Sequence, residues 1–135
     1  MCIRDRFLYK VEDLMLTDRE KLPIAQENQS FAEVIELISD KKLGMAMIVN
    51  EEGKLTGVLT DGDIRRTLIK YPNIRPLLAK DVMSPNPKYI SPKDYGASAL
   101  NLMEKYSITA LAVLDENGKP IGTVHIHDLL KAGVA

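Results

Sequence analysis

Two stretches of this chain are one unit written twice. Residues 57–66 read Gly-Val-Leu-Thr-Asp-Gly-Asp-Ile-Arg-Arg, and residues 122–131 read Gly-Thr-Val-His-Ile-His-Asp-Leu-Leu-Lys. Gly53 and Gly118, Gly57 and Gly122, and Asp63 and Asp128 are each 65 residues apart (118 − 53, 122 − 57, 128 − 63). A fixed offset across a turn glycine, a strand glycine and a helix start marks an internal duplication, so the fold must be built from two copies of one supersecondary unit. Each stretch reads as a strand running straight into a helix. In the first, Val58 and Leu59 supply strand propensity, Asp63 stands at the N-cap position, and Ile64, Leu68 and Ile69 form the apolar face of the helix. The first-turn N–H groups of such a helix lack backbone partners, so they either accept a phosphate or carboxylate or are capped from within.

The rest of the chain supplies the parts around each junction. Leu22-Pro23-Ile24-Ala25 reads as a brief edge strand with proline at its start. Ser30-Phe31-Ala32-Glu33 has capping-box spacing, and Phe31, Val34, Ile35 and Ile38 follow as one apolar helix face, ended by a left-handed Gly44. The apolar runs 45–49 and 55–60 flank a turn with Gly53 and predict a hairpin, and Tyr71-Pro72 stops the helix that follows. This is a β-α-β-β-α unit. After a linker over 72–79, Lys80-Asp81-Val82-Met83 echoes Glu12-Asp13-Leu14-Met15 and the order repeats: strand 88–90, helix 94–105, strand 110–114, and a loop over 115–118 with the Asn117-Gly118 pair of a tight turn. The domain division is therefore a leader over 1–10, whose first six residues read as foreign sequence, repeat one over 11–71, the linker, and repeat two over 80–135. The class is α/β (α+β). Three short strands and two helices per half are a small core, so the halves are expected to pack about a pseudo-twofold axis with a ligand cleft between them.

Composition excludes several classes. A chain of 135 residues with 45% hydrophobic content is neither disordered nor fibrous. With 18 basic and 19 acidic residues, it has no overall field for nucleic acid or an anionic membrane. The longest nearly apolar run, residues 108–114, is far short of the roughly 20 residues that span a bilayer. The lone Cys2 cannot form an internal disulfide, in keeping with the cytoplasm.

At the first junction Thr60, Asp61 and Asp63 offer a hydroxyl and two carboxylates beside the helix N–H groups, with Arg65 and Arg66 one turn away. That set suits a nucleotide: ribose hydroxyls on a carboxylate, phosphate on the threonine hydroxyl and helix N–H groups, arginine neutralising charge. The same residues also suit plain helix capping. At the second junction His125 replaces Thr60, His127 replaces Gly62 and Asp128 is retained. Two histidines two apart on a strand face the same way and permit metal binding, yet no third ligand is evident. His125 contacting a ligand phosphate or sugar, or sitting as a satisfied half-buried histidine, are the other readings. Met15, Met45, Met47, Met83 and Met103 read as core fillers. No Ser-His-Asp set, activated cysteine or paired carboxylates suggest covalent catalysis, and no metal or cofactor is required.

The duplicated unit, with Gly57-x-x-Thr60-x-x-Asp63 and Gly122-x-x-His125-x-x-Asp128, resembles a tandem pair of CBS domains, a Bateman module, over nearly the whole chain. The resemblance implies an adenosine nucleotide such as AMP or ATP in the cleft, ribose on Asp63 and phosphate on Thr60. His125 departs from the hydroxyl of that pattern. Val11-Glu12-Asp13-Leu14-Met15, Leu43-Gly44-Met45, residues 60–66, Asp81-Val82-Met83 and residues 125–134 together resemble the C-terminal part of arabinose-5-phosphate isomerases, enzymes on the route to the lipopolysaccharide sugar Kdo. That narrower resemblance adds Gly44 and Met45 to the ligand-binding set. It implies a regulatory module, without a catalytic site of its own, of a cytoplasmic aldose-ketose isomerase whose chemistry lies in an upstream sugar-isomerase (SIS) domain. It also implies a homo-dimer or larger assembly and a CMP-Kdo type of ligand. Two alternatives stand beside it: an oligomerisation module without ligand, and a stand-alone adenine-nucleotide sensor.

Overall fold

The computed structural model describes residues 9–17, 22–41 and 44–133. Most of the leader over 1–10, and Leu43 and Val134 of the isomerase resemblance, lie outside the described residues. The elements in chain order are α1 Val11–Leu14, β1 Ile24–Gln26, α2 Phe31–Lys41, β2 Met45–Val49, β3 Leu55–Thr60, α3 Asp61–Lys70, α4 Ala79–Val82, β4 Ser84–Pro85, β5 Tyr89–Ile90, α5 Gly96–Tyr106, β6 Ala110–Leu114, β7 Pro120–His125 and α6 Ile126–Lys131. The order β-α-β-β-α thus occurs twice, in an α/β chain. Among the described residues no helix is long and apolar enough to cross a membrane.

The chain forms two compact units. One is Pro23–Pro87; the other joins the N-terminal segment to Lys88–Ala135. In the first, the sheet order is β1-β2-β3-β4, with β1 parallel to β2 and the remaining pairs antiparallel. All five residues of β2 are buried, which is why its sequence is a continuous apolar run instead of an alternating one. In the second, β5 runs parallel to β6, and β6 pairs antiparallel with β7. Each unit closes a hydrophobic cluster of its own, around Phe31, Val34, Ile48 and Leu59 in one and around Met103, Leu111, Val124 and Leu129 in the other.

The spatial units cut across the sequence repeats. Helix α1, which begins repeat one, packs with the second repeat, and α4, which begins repeat two, packs with the first. The two exchanged helices dock alike. Val11 and Glu12 N–H groups donate to the Asp94 and Pro92 carbonyls (2.8 and 2.9 Å), as Ala79 and Lys80 do to Gln29 and Glu27 (2.8 and 3.0 Å). Val11 and Ala79 are fully buried in their adopted clusters. The segment after each helix then lies along a hairpin strand: Ser84 opposite Val58, and Leu16 opposite Thr123. A Cβ on Gly57 would meet Met83 Cγ at 2.8 Å, and one on Gly122 would meet the Leu16 carbonyl at 2.6 Å and Met15 Sδ at 3.2 Å. The strand glycines are thus seats for the methionine-bearing segments.

Three local expectations change. The second hairpin does not turn tightly on Asn117-Gly118, and its loop is as long as the expected first one, residues 50–54. Asn50 and Asp115 open five-residue loops in which only the glycines, Gly53 (φ +83°) and Gly118 (φ +80°), take positive φ. The Asn50 and Asp115 side chains accept two loop N–H groups each, which stabilises the longer loop. Asp63 is not the N-cap of α3: Thr60, extended at φ −107° and ψ 171°, caps the helix, and Asp63 sits three residues in. Nor do Leu68 and Ile69 face a core. They are 50% and 87% exposed, and α3 buries Asp63 and Thr67 instead.

Candidate functional site

The first junction is a reciprocal capping box. Asp63 N–H donates to Thr60 Oγ1 (3.3 Å), while Thr60 N–H and Oγ1–H donate to Asp63 Oδ2 (2.9 and 3.0 Å). The other carboxylate oxygen, Oδ1, accepts from Arg66 Nη2 (2.6 Å) and Ser84 Oγ (2.9 Å). Asp63 is only 7% exposed. Its burial raises the pKa, but the Thr60 N–H, the Arg66 guanidinium and the Ser84 and Thr60 hydroxyls outweigh that, so the carboxyl titrates below its ordinary value. A buried acceptor, ionised at neutral pH, results.

Neighbouring groups complete the junction. Asp61 N–H donates to the Gly44 carbonyl (3.3 Å), and Met45 pairs with Thr60 across the β2–β3 ladder. Two of the first-turn N–H groups of α3 are therefore engaged by the Gly44 carbonyl and the Thr60 hydroxyl. Gly62 leaves room above the helix start: a Cβ there would lie 3.3 Å from Arg66 Nη1. A side chain there would press on the guanidinium that folds back onto Asp63. The structure thus brings together Gly44, Met45, Thr60, Asp61, Asp63 and Arg66. Arg65 stands apart on the exposed face and has no hydrogen-bond or ion-pair partner among the described residues.

Ser84 and Gly62 are the residues that sequence reasoning passed over. Ser84 reaches Asp63 from 21 positions away on an exchanged strand, and its only signal is that it follows the repeated Asp-Val-Met.

The second junction keeps the frame and changes the contents. His125 is the last residue of β7 and caps α6, its Nδ1 accepting from His127 N–H at 3.1 Å, and Asp128 Oδ2 accepts from His125 N–H at 2.9 Å. His127 belongs to the helix, so the pair does not sit on one strand. The rings nonetheless stack, with centroids 4.7 Å apart and planes 19° from parallel. Partial burial of His125, then the charge of His127, lower its pKa, against the opposing charge of Asp128. Nδ1 as acceptor requires the neutral ring, with its proton on Nε2. No three His, Cys, Asp or Glu side chains among the described residues are grouped to hold a metal ion.

The family model described as CBS domain matches residues 11–70 and again 79–135. An arabinose 5-phosphate isomerase KdsD of Pseudomonas aeruginosa is 39% identical over 129 residues, covering 96% of this chain and 39% of that protein. The chain spans about two-fifths of the length of the curated relatives it matches. Among solved structures, a complex of CBSX2 with AMP is 25% identical with a TM-score of 0.78, covering 93% of this chain and 96% of that one. A CBS domain-containing protein from Bacillus anthracis shares the fold at a TM-score of 0.82 and 19% identity, over 95% of each chain.

Proposed function

Because the chain belongs to the CBS domain family and carries the family's unit twice, we propose that it is a regulatory module that binds a nucleotide or sugar nucleotide at its first junction. The observation that carries this reading is Asp63: a buried carboxylate, held ionised, with two of its four bonds coming from the Arg66 and Ser84 side chains outside the capping box. Sugar hydroxyls would bond Asp63, phosphate would lie beside Thr60 and bond the Arg65 and Arg66 guanidinium groups, and Gly44 and Met45 would border the remainder of the ligand. AMP in a relative of the same fold supports a nucleotide. The second junction, with His127 where Gly62 stands in the first, takes a different ligand through His125, His127 and Asp128.

The parent protein, on this reading, is a cytoplasmic arabinose-5-phosphate isomerase of Kdo synthesis. Its SIS domain carries the chemistry, and this module shifts its activity by binding one state better than the other. A CMP-Kdo type of ligand would then provide feedback. Exposed Leu68, Ile69 and Leu130 favour a second role, in which the helices after the junctions join copies of the chain.

Thermal unfolding of the chain with AMP, ATP, CMP, CMP-Kdo and arabinose 5-phosphate tests the first role. A native-state ligand at about 100 times its Kd adds roughly 2.7 kcal/mol, enough to move Tm by several degrees. We expect a shift with one nucleotide that is lost in Asp63→Asn. No shift with any of them, together with a concentration-dependent dimer, would leave assembly as the function.

A further inference from the structure

We infer that Ser84 and Arg66 hold the ligand's place on Asp63, so that a vicinal diol binds by displacing them and thereby releases the β4 edge strand. This rests on the reading above that Asp63 takes the sugar hydroxyls of a ligand. A carboxylate offers about four lone-pair positions. All four are occupied here, by Thr60 N–H and Oγ1–H on Oδ2 and by Arg66 and Ser84 on Oδ1. No hydroxyl can join them without one leaving.

The four partners differ in what holds them. The Thr60 groups lie three residues from Asp63 and close the capping box, so removing them would unwind the start of α3. Arg66 is a solvent-facing side chain, 72% exposed, and needs only a rotamer change to depart. Ser84 belongs to a strand of two residues at the sheet edge, paired with Gly57 and Val58 alone. A ligand with two adjacent hydroxyls can replace both Oδ1 donors, one by one, and leave the carboxylate fully bonded. A ligand with a single hydroxyl leaves it short of one donor. The favoured class is therefore a ribonucleotide or pentose phosphate with a free vicinal diol, whose phosphate the released Arg66 would meet.

The exchange also says how binding is reported. Once Ser84 leaves Asp63, β4 retains only its short pairing with β3, next to Met83 on its glycine seat. The chain passes from β4 to the first residue of the other unit, Lys88, within three residues. Ligand occupancy is thus converted into loosening of the segment by which the chain leaves this unit.

Calorimetric titration of the wild-type chain, Ser84→Ala and Asp63→Asn with AMP, CMP and their 2′-deoxy forms tests this, together with amide hydrogen exchange at Val58 and Ser84. Ser84→Ala removes the resident donor, so we expect it to bind the preferred ribonucleotide about five- to tenfold more tightly than wild type. The 2′-deoxy form should bind at least about tenfold more weakly to both. In the wild type, ligand should speed exchange at the β3–β4 pairs. Equal or weaker binding by Ser84→Ala, indifference to the 2′-hydroxyl, or slower exchange at Ser84 would overturn the displacement. If binding is still lost in Asp63→Asn, the reading of Asp63 survives that failure. Binding of no nucleotide to wild type or Ser84→Ala would overturn both.

Discussion

The two strand-to-helix junctions share one backbone and differ in what fills it. In both, the last strand residue caps the helix and an aspartate three residues on returns a bond to its N–H (2.9 Å in each). The backbone bond at each helix start is kept too, from Asp61 to Gly44 and from Ile126 to Thr109, and around that frame the side-chain partners change. Arg66, Gly62 and Ser84 of the first junction correspond to Lys131, His127 and Leu16 of the second. Asp63 therefore carries four bonds from three residues, and Asp128 carries one among the described residues. Duplication kept the geometry that the helix start needs. It left free the groups that decide what the junction does.

The largest effects should come from what the two copies have in common, the glycine seats. Ala at Gly122 would drive its Cβ to 2.6 Å from the Leu16 carbonyl, which is backbone and cannot turn aside; Ala at Gly57 would chiefly meet the flexible Met83, with the nearest backbone, the Ser84 carbonyl, farther off at 3.0 Å. Overpacking of this kind costs roughly 1–3 kcal/mol. We expect Gly122→Ala near the top of that range and Gly57→Ala near the bottom, measured by denaturant unfolding. Equal costs would mean that the two methionine segments are held alike, and the asymmetry would be lost.

Next in size is the contrast between the aspartates. Asp63→Asn presents amide hydrogens to the Arg66 guanidinium in a buried place, so a loss of about 2 kcal/mol is expected, against about 1 kcal/mol for Asp128→Asn, which disturbs little beyond a cap. The pH dependence follows from the lowered pKa of Asp63. Its unfolded form takes up a proton near pH ~3.9 while the folded form remains ionised, so the stabilisation is complete above that range. It is lost as pH falls through the lower folded value. Asp63→Asn should flatten the acid limb of the stability curve; an unchanged limb would show that the four bonds do not hold the carboxylate ionised.

The hairpin strands Met45–Val49, Leu55–Thr60 and Ala110–Leu114 were legible in the sequence, because the uninterrupted apolar runs of the first and last, and the Val58-Leu59 core of the second, are bounded by turn residues. Their partners were not. The Glu-Asp-Leu-Met and Lys-Asp-Val-Met segments stand out as repeats, but pairings of one or two residues have no periodicity to read, so the exchange that carries Ser84 to Asp63 leaves no local trace. Apolar spacing in α3 pointed to a buried face that the structure leaves exposed at Leu68 and Ile69, since the same pattern serves a core or an external contact. At the junction the capping box is made of Thr60 and Asp63, with the cap on Thr60 and not on Asp63. Thr60, as a strand's last residue, already has the extended backbone that an N-cap needs.

The finest test of the comparison is the proton sensitivity near neutral pH, which only the second junction should have. His125 caps α6 through Nδ1, which must be unprotonated to accept from His127 N–H. Burial first, and the charge of His127 second, lower its pKa despite Asp128. In the unfolded chain the ring binds a proton below about pH 6.5, while in the folded chain it stays neutral until a lower pH. The unfolded state therefore binds more protons across that window, so stability should fall as pH drops below about 6.5 and level off once the folded ring titrates. His125→Thr installs the first junction's cap and should remove this slope, and His127→Ala should reduce it without abolishing it, because burial is the larger cause. Denaturant unfolding at about pH 7.5 and about pH 5.5 reads the difference. If wild type and His125→Thr lose the same stability between the two, the histidine cap is no more proton-sensitive than the threonine one, and the two junctions differ in their ligands alone.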